Sequence, residues 1–544
     1  MQSGFGLLEA GYASRRCEVS IMMKNAVDVV VGGVSFWMVG YGLEFGEPSN
    51  AFCGFGAFFT NGSDDLLESG WLYARYIFQF SFAAAATTIV SGCVAERCKF
   101  SAYMAFAFIN SIIFSVAGHW VWTEGGWLRK LGHHDFAGDG PVHILGACNG
   151  AVATYLLGPR RGVEPKTMSV PHISSGSSVI FGLFVLWWGW IGFNCGSTFG
   201  LSGARWSVAA RIAAATVNSS CWGGVAALIY SGISTGGQYR VDHLCSGVLG
   251  GLVAIAAPCA VVSPRDANLI GFLGGLIAIQ SNRLVARLGL DDPIGAIGVH
   301  GFAGAWGLIS VAFFARDTLP GIEVEKGVLY GGEGYFLGVQ CLGVLSITLW
   351  AVVSSYTSFK FIGLCLKGLR LSPEDEDLGS DVVDHGYGQT ERRQAQTTVV
   401  PDPNAYHEAM TKSNSIGSNG GMFRRLRSLS RLAGRGEAAH TKASLRAITP
   451  TSIAEDGDRR EAVDVESEEI RNYYSRGNSM ASDEYASMSA SSISAPYPGS
   501  VASSTGLDFI EYRRNSNNSM SSLFSRRDDP PREMVEETFP EEAA

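Results

Sequence analysis

The chain has no Cys-x-x-Cys pair, and its 11 cysteines are odd in number and fall mostly in apolar segments, as at Cys93, Cys148, Cys221 and Cys245. Neither a disulfide framework nor a zinc site is expected, and these thiols read as small buried hydrophobes. Cys53, in a polar stretch, stands apart. Charge is missing over long distances, so that stretch after stretch of the first two thirds is too apolar for a water-exposed surface. The net charge of -9 averages this part with a polar tail and says little about partners; none of it points to nucleic acid. No catalytic constellation, cofactor motif or metal-ligand set stands out, so the chain is not read as an enzyme. What is abundant is glycine, at 68 residues, together with 12 tryptophans. Glycine is frequent in membrane helices because it lets backbones approach closely, and the composition predicts a polytopic helical membrane protein.

Apolar runs of about twenty residues are long enough to cross the hydrocarbon core. They predict spans over Ala26–Phe45, Tyr73–Val94, Ser101–Trp122, Pro141–Leu157, Ile173–Cys195, Trp206–Tyr230, Leu244–Val262, Leu269–Leu288, Ile294–Phe314 and Tyr335–Leu366. Met1–Tyr12 is apolar but short. It is too short to cross, and Glu9 and the missing basic segment argue against a signal peptide. With alternating spans, Arg15, Arg16, Lys24, Arg97, Lys99, Arg160, Arg161, Lys166, Arg240, Arg283, Arg287, Lys367 and Arg370 fall on one side. Arg129, Lys130, Arg265 and Lys326 fall on the other. The bias predicts a cytoplasmic C-terminus, with the glycosylation pattern Asn61-Gly62-Ser63 outside.

Two segments share a pattern. Asp135–Gly146 reads DFAGDGPVHILG and Asp291–Gly307 reads DDPIGAIGVHGFAGAWG, so Asp135, Gly138, Val142 and His143 match Asp292, Gly295, Val299 and His300. An ionised residue at the bilayer centre costs roughly 2.5 to 3.5 kcal/mol on insertion scales, which makes each histidine a pathway candidate. A duplicate in each half of the chain is the mark of internal repeats, with the substrate path where they meet.

With MQSGFGLLEAG (Met1–Gly11), FWMVGYGLEFG (Phe36–Gly46), FQFSFAAAATTIVSGCVAER (Phe78–Arg97), WWGWIGFNCGS (Trp187–Ser197) and LKGLRLSPEDE (Leu366–Glu376), these segments resemble ammonium transporters of the Amt/Mep/Rh superfamily. The likeness is to the Amt type, close to animal members, and runs from Met1 to about Gly386. It implies an all-α membrane bundle of two inverted five-helix repeats plus a C-terminal span, with the first span truncated here. It also implies a homotrimer in the plasma membrane. The transporter domain would occupy residues 1–372, a cytoplasmic regulatory segment 373–387, and a disordered Ser/Arg-rich cytoplasmic tail 388–544.

The chemistry implied is selection of ammonium over potassium. Size cannot do this, but only ammonium can give up a proton and cross an apolar bore as a neutral molecule. Trp122 offers a π face to a cation and Ser197 a hydroxyl acceptor. By resemblance Trp122, Ser197 and Phe82 form the outer substrate site, Phe82 and Phe193 the pore gate, and His143 and His300 a hydrogen-bonded proton relay. Asp135 and Asp292 are expected to cap helix starts and act electrostatically rather than bind the cation. His119 reads as a satisfied core histidine, His133 and His134 as solvated loop residues, and Gln79 as a packing residue. A neutral channel for ammonia or carbon dioxide of the Rh type and an ammonium sensor signalling through its tail are the alternatives.

Arg16-Cys17 stands where relatives carry Lys-Asn. GSDVVDHG (Gly379–Gly386) matches a regulatory segment whose plant relatives carry a phosphorylatable Thr at the position of Val383. In the tail, too poor in large apolar residues to fold, Phe423–Arg435 sets Phe423, Leu426, Leu429 and Leu432 among five arginines. Inner-leaflet lipids, or kinases acting at Ser428 and Ser430, are the partners that stretch suggests.

Overall fold

The computed structural model describes residues 1–164, 171–316 and 322–387. Lys166 and the tail with its Phe423–Arg435 stretch lie outside them. Among the described residues the protein is helical, with two isolated bridges, Ser49 to Gly54 and Cys98 to Arg370, as the only extended pairing. In chain order the α-helices are α1 (Gln2–Tyr12), α2 (Glu18–Ser35), α3 (Tyr41–Phe45), α4 (Leu66–Cys93), α5 (Phe100–Trp122), α6 (Trp127–Lys130), α7 (Leu145–Leu157) and α8 (Gly176–Gly196). They continue as α9 (Arg205–Thr235), α10 (Val241–Ala254), α11 (Pro264–Arg287), α12 (Ala303–Phe314), α13 (Gly334–Cys365), α14 (Pro373–Leu378) and α15 (Ser380–Val383). Wide π turns over Phe36–Gly40, Asp139–Ile144 and Ile297–Phe302 join α2 to α3 and begin the runs into α7 and α12.

Eight of these segments are long and apolar enough to cross a membrane, which makes this a multi-pass membrane protein. The limits differ from the hydropathy reading where polar residues are buried. The first full span begins at Glu18, eight residues before Ala26, because Lys24, Asn25 and Asp28 are turned inward. Asp28 accepts from Thr88 at 2.8 Å and Tyr103 at 2.7 Å, and Asn25 donates to Glu9 at 2.9 Å. The Leu244–Val262 run is a helix only to Ala254 and then turns. Large apolar side chains such as Trp188, Ile233 and Leu364 face outward, as a lipid-facing surface requires. Inside, a side chain on Gly223 or Gly271 would strike the backbone of Gly247 or Ser219, so α9, α10 and α11 touch nearly backbone to backbone.

The two histidine segments enter from opposite ends of the bundle. α5 runs from Phe100 to Trp122; Trp122 gives its indole N–H to the Asp135 carbonyl at 2.9 Å, whereas Arg97, just before Phe100, donates to the Asp291 carbonyl at 2.7 Å. The first copy thus starts at one mouth and the second at the other, as inverted repeats require. The segment after α13 returns to the Arg97 end: Leu371 donates to the Arg97 carbonyl, and the Asp381 carboxylate accepts from Val19 and Ser20 at the start of α2.

Candidate functional site

Each duplicated aspartate ties a turn. Asp135 accepts from the backbone N–H groups of Gly138, Asp139 and Gly140 at 2.7 to 2.9 Å. Asp292 accepts from Ile294, Gly295 and Ile297 at 2.7 to 3.3 Å. Gly138 and Gly295 both have positive φ, at 91° and 77°, which an L side chain adopts only with strain. Both carboxylates are therefore committed to backbone, and each projects a histidine five residues beyond its glycine from a π turn into the interior. Such turns are frequent where function requires a displaced side chain.

The projected rings meet. His143 Nδ1 and His300 Nδ1 lie 3.2 Å apart, with both residues buried. Their ring centres are 5.1 Å apart and the planes are inclined at 27°. On one side Phe193 stands 5.8 Å from His143 and stacks on Phe82 at 4.1 Å, while Phe82 contacts Trp122 at 5.7 Å. Ser197 caps the C-terminal end of α8 one turn beyond Phe193 and turns its hydroxyl hydrogen onto the Phe193 carbonyl at 3.3 Å, leaving oxygen lone pairs to accept. Trp122 likewise ends α5, so two helix C-termini, each partially negative, lie at this end of the column. A chain of ring contacts therefore runs from Trp122 through Phe82 and Phe193 to the histidines. Asp135 and Asp292 direct their carboxylates to the backbone of the turns.

Three residues join the site that the pattern did not assign to it. Trp190, fully buried, stacks on His143 at 5.3 Å and lies 6.5 Å from His300. It precedes Phe193 by three residues, so helical spacing alone puts both on one face. Phe5 of α1 approaches His300, with ring centres 6.1 Å apart. Asp139 accepts from Ala257 N–H at 2.8 Å and pins the first turn to the segment after α10; the matching position in the second copy is Ala296, so the repeat gave no cue to it. His143 Nε2 and Trp190 Nε1 are buried without a protein partner.

Other expectations divide. His119 is a buried core histidine, its ring nitrogens 2.6 and 2.8 Å from the carbonyls of Glu44 and Asn50, to one of which a neutral ring donates. Gln79 is buried, in keeping with a packing role. His133 and His134 are not solvated: burial pushes His133 down to about 3, helped by the neighbouring His134, and His134 down to about 4, helped by Arg129. The loop signal failed for His133 because α13 packs against its ring. At the opposite mouth, burial alone would raise the Asp291 carboxyl, but hydrogen bonds and charge from Arg160 hold it below its ordinary value.

The sequence profile of the Ammonium Transporter Family matches residues 1–390. The chain belongs to that family. It is 38% identical over 402 residues to "Putative ammonium transporter 3" of Caenorhabditis elegans, a match covering 72% of this chain and 58% of that relative. It is also 38% identical over 403 residues to "Ammonium transporter Amt2" of Archaeoglobus fulgidus, covering 71% and 84% of the two chains. Among solved structures, "Sensor Amt Protein" aligns with a TM-score of 0.64 at 33% identity, covering 71% of this chain and 94% of that one. Mep2 of Saccharomyces cerevisiae aligns with a TM-score of 0.61 at 26% identity, over 69% and 86%. The chain thus spans little more than half the length of the nematode relative and most of the other three.

Proposed function

We propose that the protein carries ammonium across the plasma membrane, taking it up at the Trp122 end, outside, and releasing it at the Arg97 end, in the cytoplasm together with the C-terminus. The observation that carries this reading is the His143–His300 contact, buried behind stacked phenylalanines. Trp122, Ser197 and Phe82 receive the cation: the indole and phenyl faces attract its charge, and the hydroxyl and helix-end dipoles accept its N–H groups. Separation of Phe82 from Phe193 admits it to a bore where water no longer solvates the charge.

A neutral histidine pair joined through Nδ1 atoms has one donor and one acceptor at that contact, so one outer Nε2 holds a lone pair and the other a hydrogen. With His300 donating to His143, His300 Nε2 is the acceptor; with the roles exchanged, His143 Nε2 is. The second arrangement receives the proton from ammonium beneath Phe193, leaving neutral ammonia to cross the bore. Transfer across the Nδ1 contact then frees a proton at His300 Nε2 and leaves the pair in the first arrangement, so one proton passes inward with each ammonia only if the pair returns to the second arrangement between cycles. Potassium has no proton to yield. Three such subunits with one pore each form the assembly inferred from the family.

Ammonium-evoked current and isotope uptake, measured together in oocytes, test this. Equal charge and nitrogen fluxes support it. Neutral nitrogen flux would favour an Rh-like channel. Binding without flux would favour a sensor, a reading to which the alignment with "Sensor Amt Protein" lends weight.

A further inference from the structure

Helix α13 lies outside the duplicated pattern, yet one stripe of it grips the residues around Asp135. Gln340 is fully buried. Its Oε1 accepts from His134 N–H at 3.0 Å, and its Nε2 donates to the carbonyls of His134 at 2.7 Å and Leu308 at 3.0 Å. Three residues on, a side chain at Gly343 would run into the His133 imidazole, and one turn further Ile347 occupies the space that a side chain on Gly140 would need. Positions 340, 343 and 347 share a helix face. That single face therefore meets His134, His133 and Gly140, on both sides of Asp135. Below it, Trp350 donates to the Ile113 carbonyl at 2.9 Å and anchors α13 to α5, the helix that ends in Trp122.

We propose that Gln340 and Gly343 are positioning residues for the cation-recruitment site, so that α13 sets the apparent affinity for ammonium. This rests on the reading of Trp122 as the recruiting ring. The Trp122 indole is oriented by the Asp135 carbonyl, and His134, bonded to Asp135 along the chain, is held at both its backbone groups by one side chain. The Gln340 amide satisfies a buried donor and a buried acceptor that have no secondary-structure partner. Without it the loop seeks other partners and the ring turns with it. Besides the Asp135 carboxylate, the His143 turn has a hold of its own, Asp139 on Ala257. Loss of the α13 grip therefore acts on recruitment more than on proton relay.

The test uses the full-length protein with Gln340→Leu, Gln340→Glu and Gly343→Ala. Leu keeps bulk but loses all three hydrogen bonds; Glu keeps the acceptor for His134 N–H and loses the donors. Amide exchange across residues 133–140 should rise by about fivefold in Gln340→Leu, the equivalent of one net hydrogen bond, and by less in Gln340→Glu. In proteoliposomes the half-saturating ammonium concentration should rise several-fold for Gln340→Leu and Gly343→Ala, with maximal uptake within about twofold at matched protein and potassium still excluded. Unchanged exchange in this loop overturns the proposal. So does a fall in maximal uptake with an unchanged half-saturation point, since that marks support of folding alone. If the unaltered protein takes up no ammonium, the transport reading fails, and exchange together with ammonium binding to the solubilised protein by nitrogen-15 NMR still decides this one.

Discussion

Trp122 gives its indole N–H to the carbonyl of Asp135, the residue whose carboxylate ties the turn leading to His143. Ring orientation and histidine placement thus share one residue. Trp122→Phe keeps a π face and loses the anchoring N–H; Trp122→Leu loses both. Half-saturating ammonium should rise from the native protein to Phe to Leu, with about a two- to thirtyfold span set by the 0.5 to 2 kcal/mol of a cation–π contact. Concentration–response curves of current check the order. Identical curves for all three would mean that Trp122 only fills space.

The buried rings of His133 and His134 make the loop beside Trp122 sensitive to acid. In the folded protein they titrate near 3 and 4, with His134 and Arg129 as the charged neighbours that oppose protonation after burial itself. In the unfolded chain they titrate near 6.5. Between these values the unfolded state binds protons that the folded state refuses. Their contribution is therefore intact above about 6.5 and is lost as pH falls toward 4. Thermal unfolding followed from pH 7.5 to 4.5 should show this loss, and His133→Leu should flatten it. A parallel pH dependence in the variant would assign the acid loss to other groups.

How far the sequence disclosed this site depends on the kind of signal. The turns of Asp135 and Asp292 were legible because a carboxylate, a positive-φ glycine and a histidine at fixed spacing occur twice, and the fold required both copies. Phe82, Phe193 and Trp122 were named through resemblance alone, and the structure brings their rings into contact. Trp190 was missed although its three-residue offset from Phe193 was visible, because tryptophans are common here and the spacing alone names no partner. His133 was misread because local polarity marks a loop but cannot reveal a helix 200 residues later in the chain lying over it. The start of α2 was misplaced for a related reason: Lys24 and Asp28 lower hydropathy, and only tertiary partners such as Tyr103 make them tolerable inside.

At the Arg97 end, Arg160 contacts Asp291 at 2.9 Å, and the Asp291 side chain has no exposure. Arg160 also bonds Glu96 at 3.0 Å, so the guanidinium ties α4's end to the residue before Asp292. Removing one partner of a buried pair costs about 3 to 5 kcal/mol. Arg160→Ala should lower the unfolding temperature and surface abundance more than Arg161→Ala, whose partner Asp377 is exposed. Because Asp291 is held below the ordinary carboxylate range, the native pair stabilises the protein above that range and loses its effect as pH falls through the folded value. In Arg160→Ala only the charge of Arg97 and the backbone N–H of residue 160 still oppose burial at Asp291, so the carboxyl is held down less and acid should destabilise the variant less than the native protein. Equal acid dependence would show that the pair is not what sets it.

The histidine pair makes the most demanding prediction, because transport as proposed needs a protonatable link within a bore that excludes hydrated ions. His143→Ala or His300→Ala removes one imidazole from a contact 3.2 Å long and leaves room beside Trp190 and Phe193. Water can fill that room. The outcome should be either loss of ammonium current or a conductance that no longer rejects potassium, and substituting both should not restore selective, charge-coupled transport. His143→Glu should do less harm than His143→Ala, since a carboxyl still exchanges a proton, at a cost set by its burial. Current, isotope uptake and potassium permeability at matched surface expression provide the measurements. If both alanine variants keep native current and still exclude potassium, the rings are packing residues and the proton passes elsewhere, whatever the family of the chain.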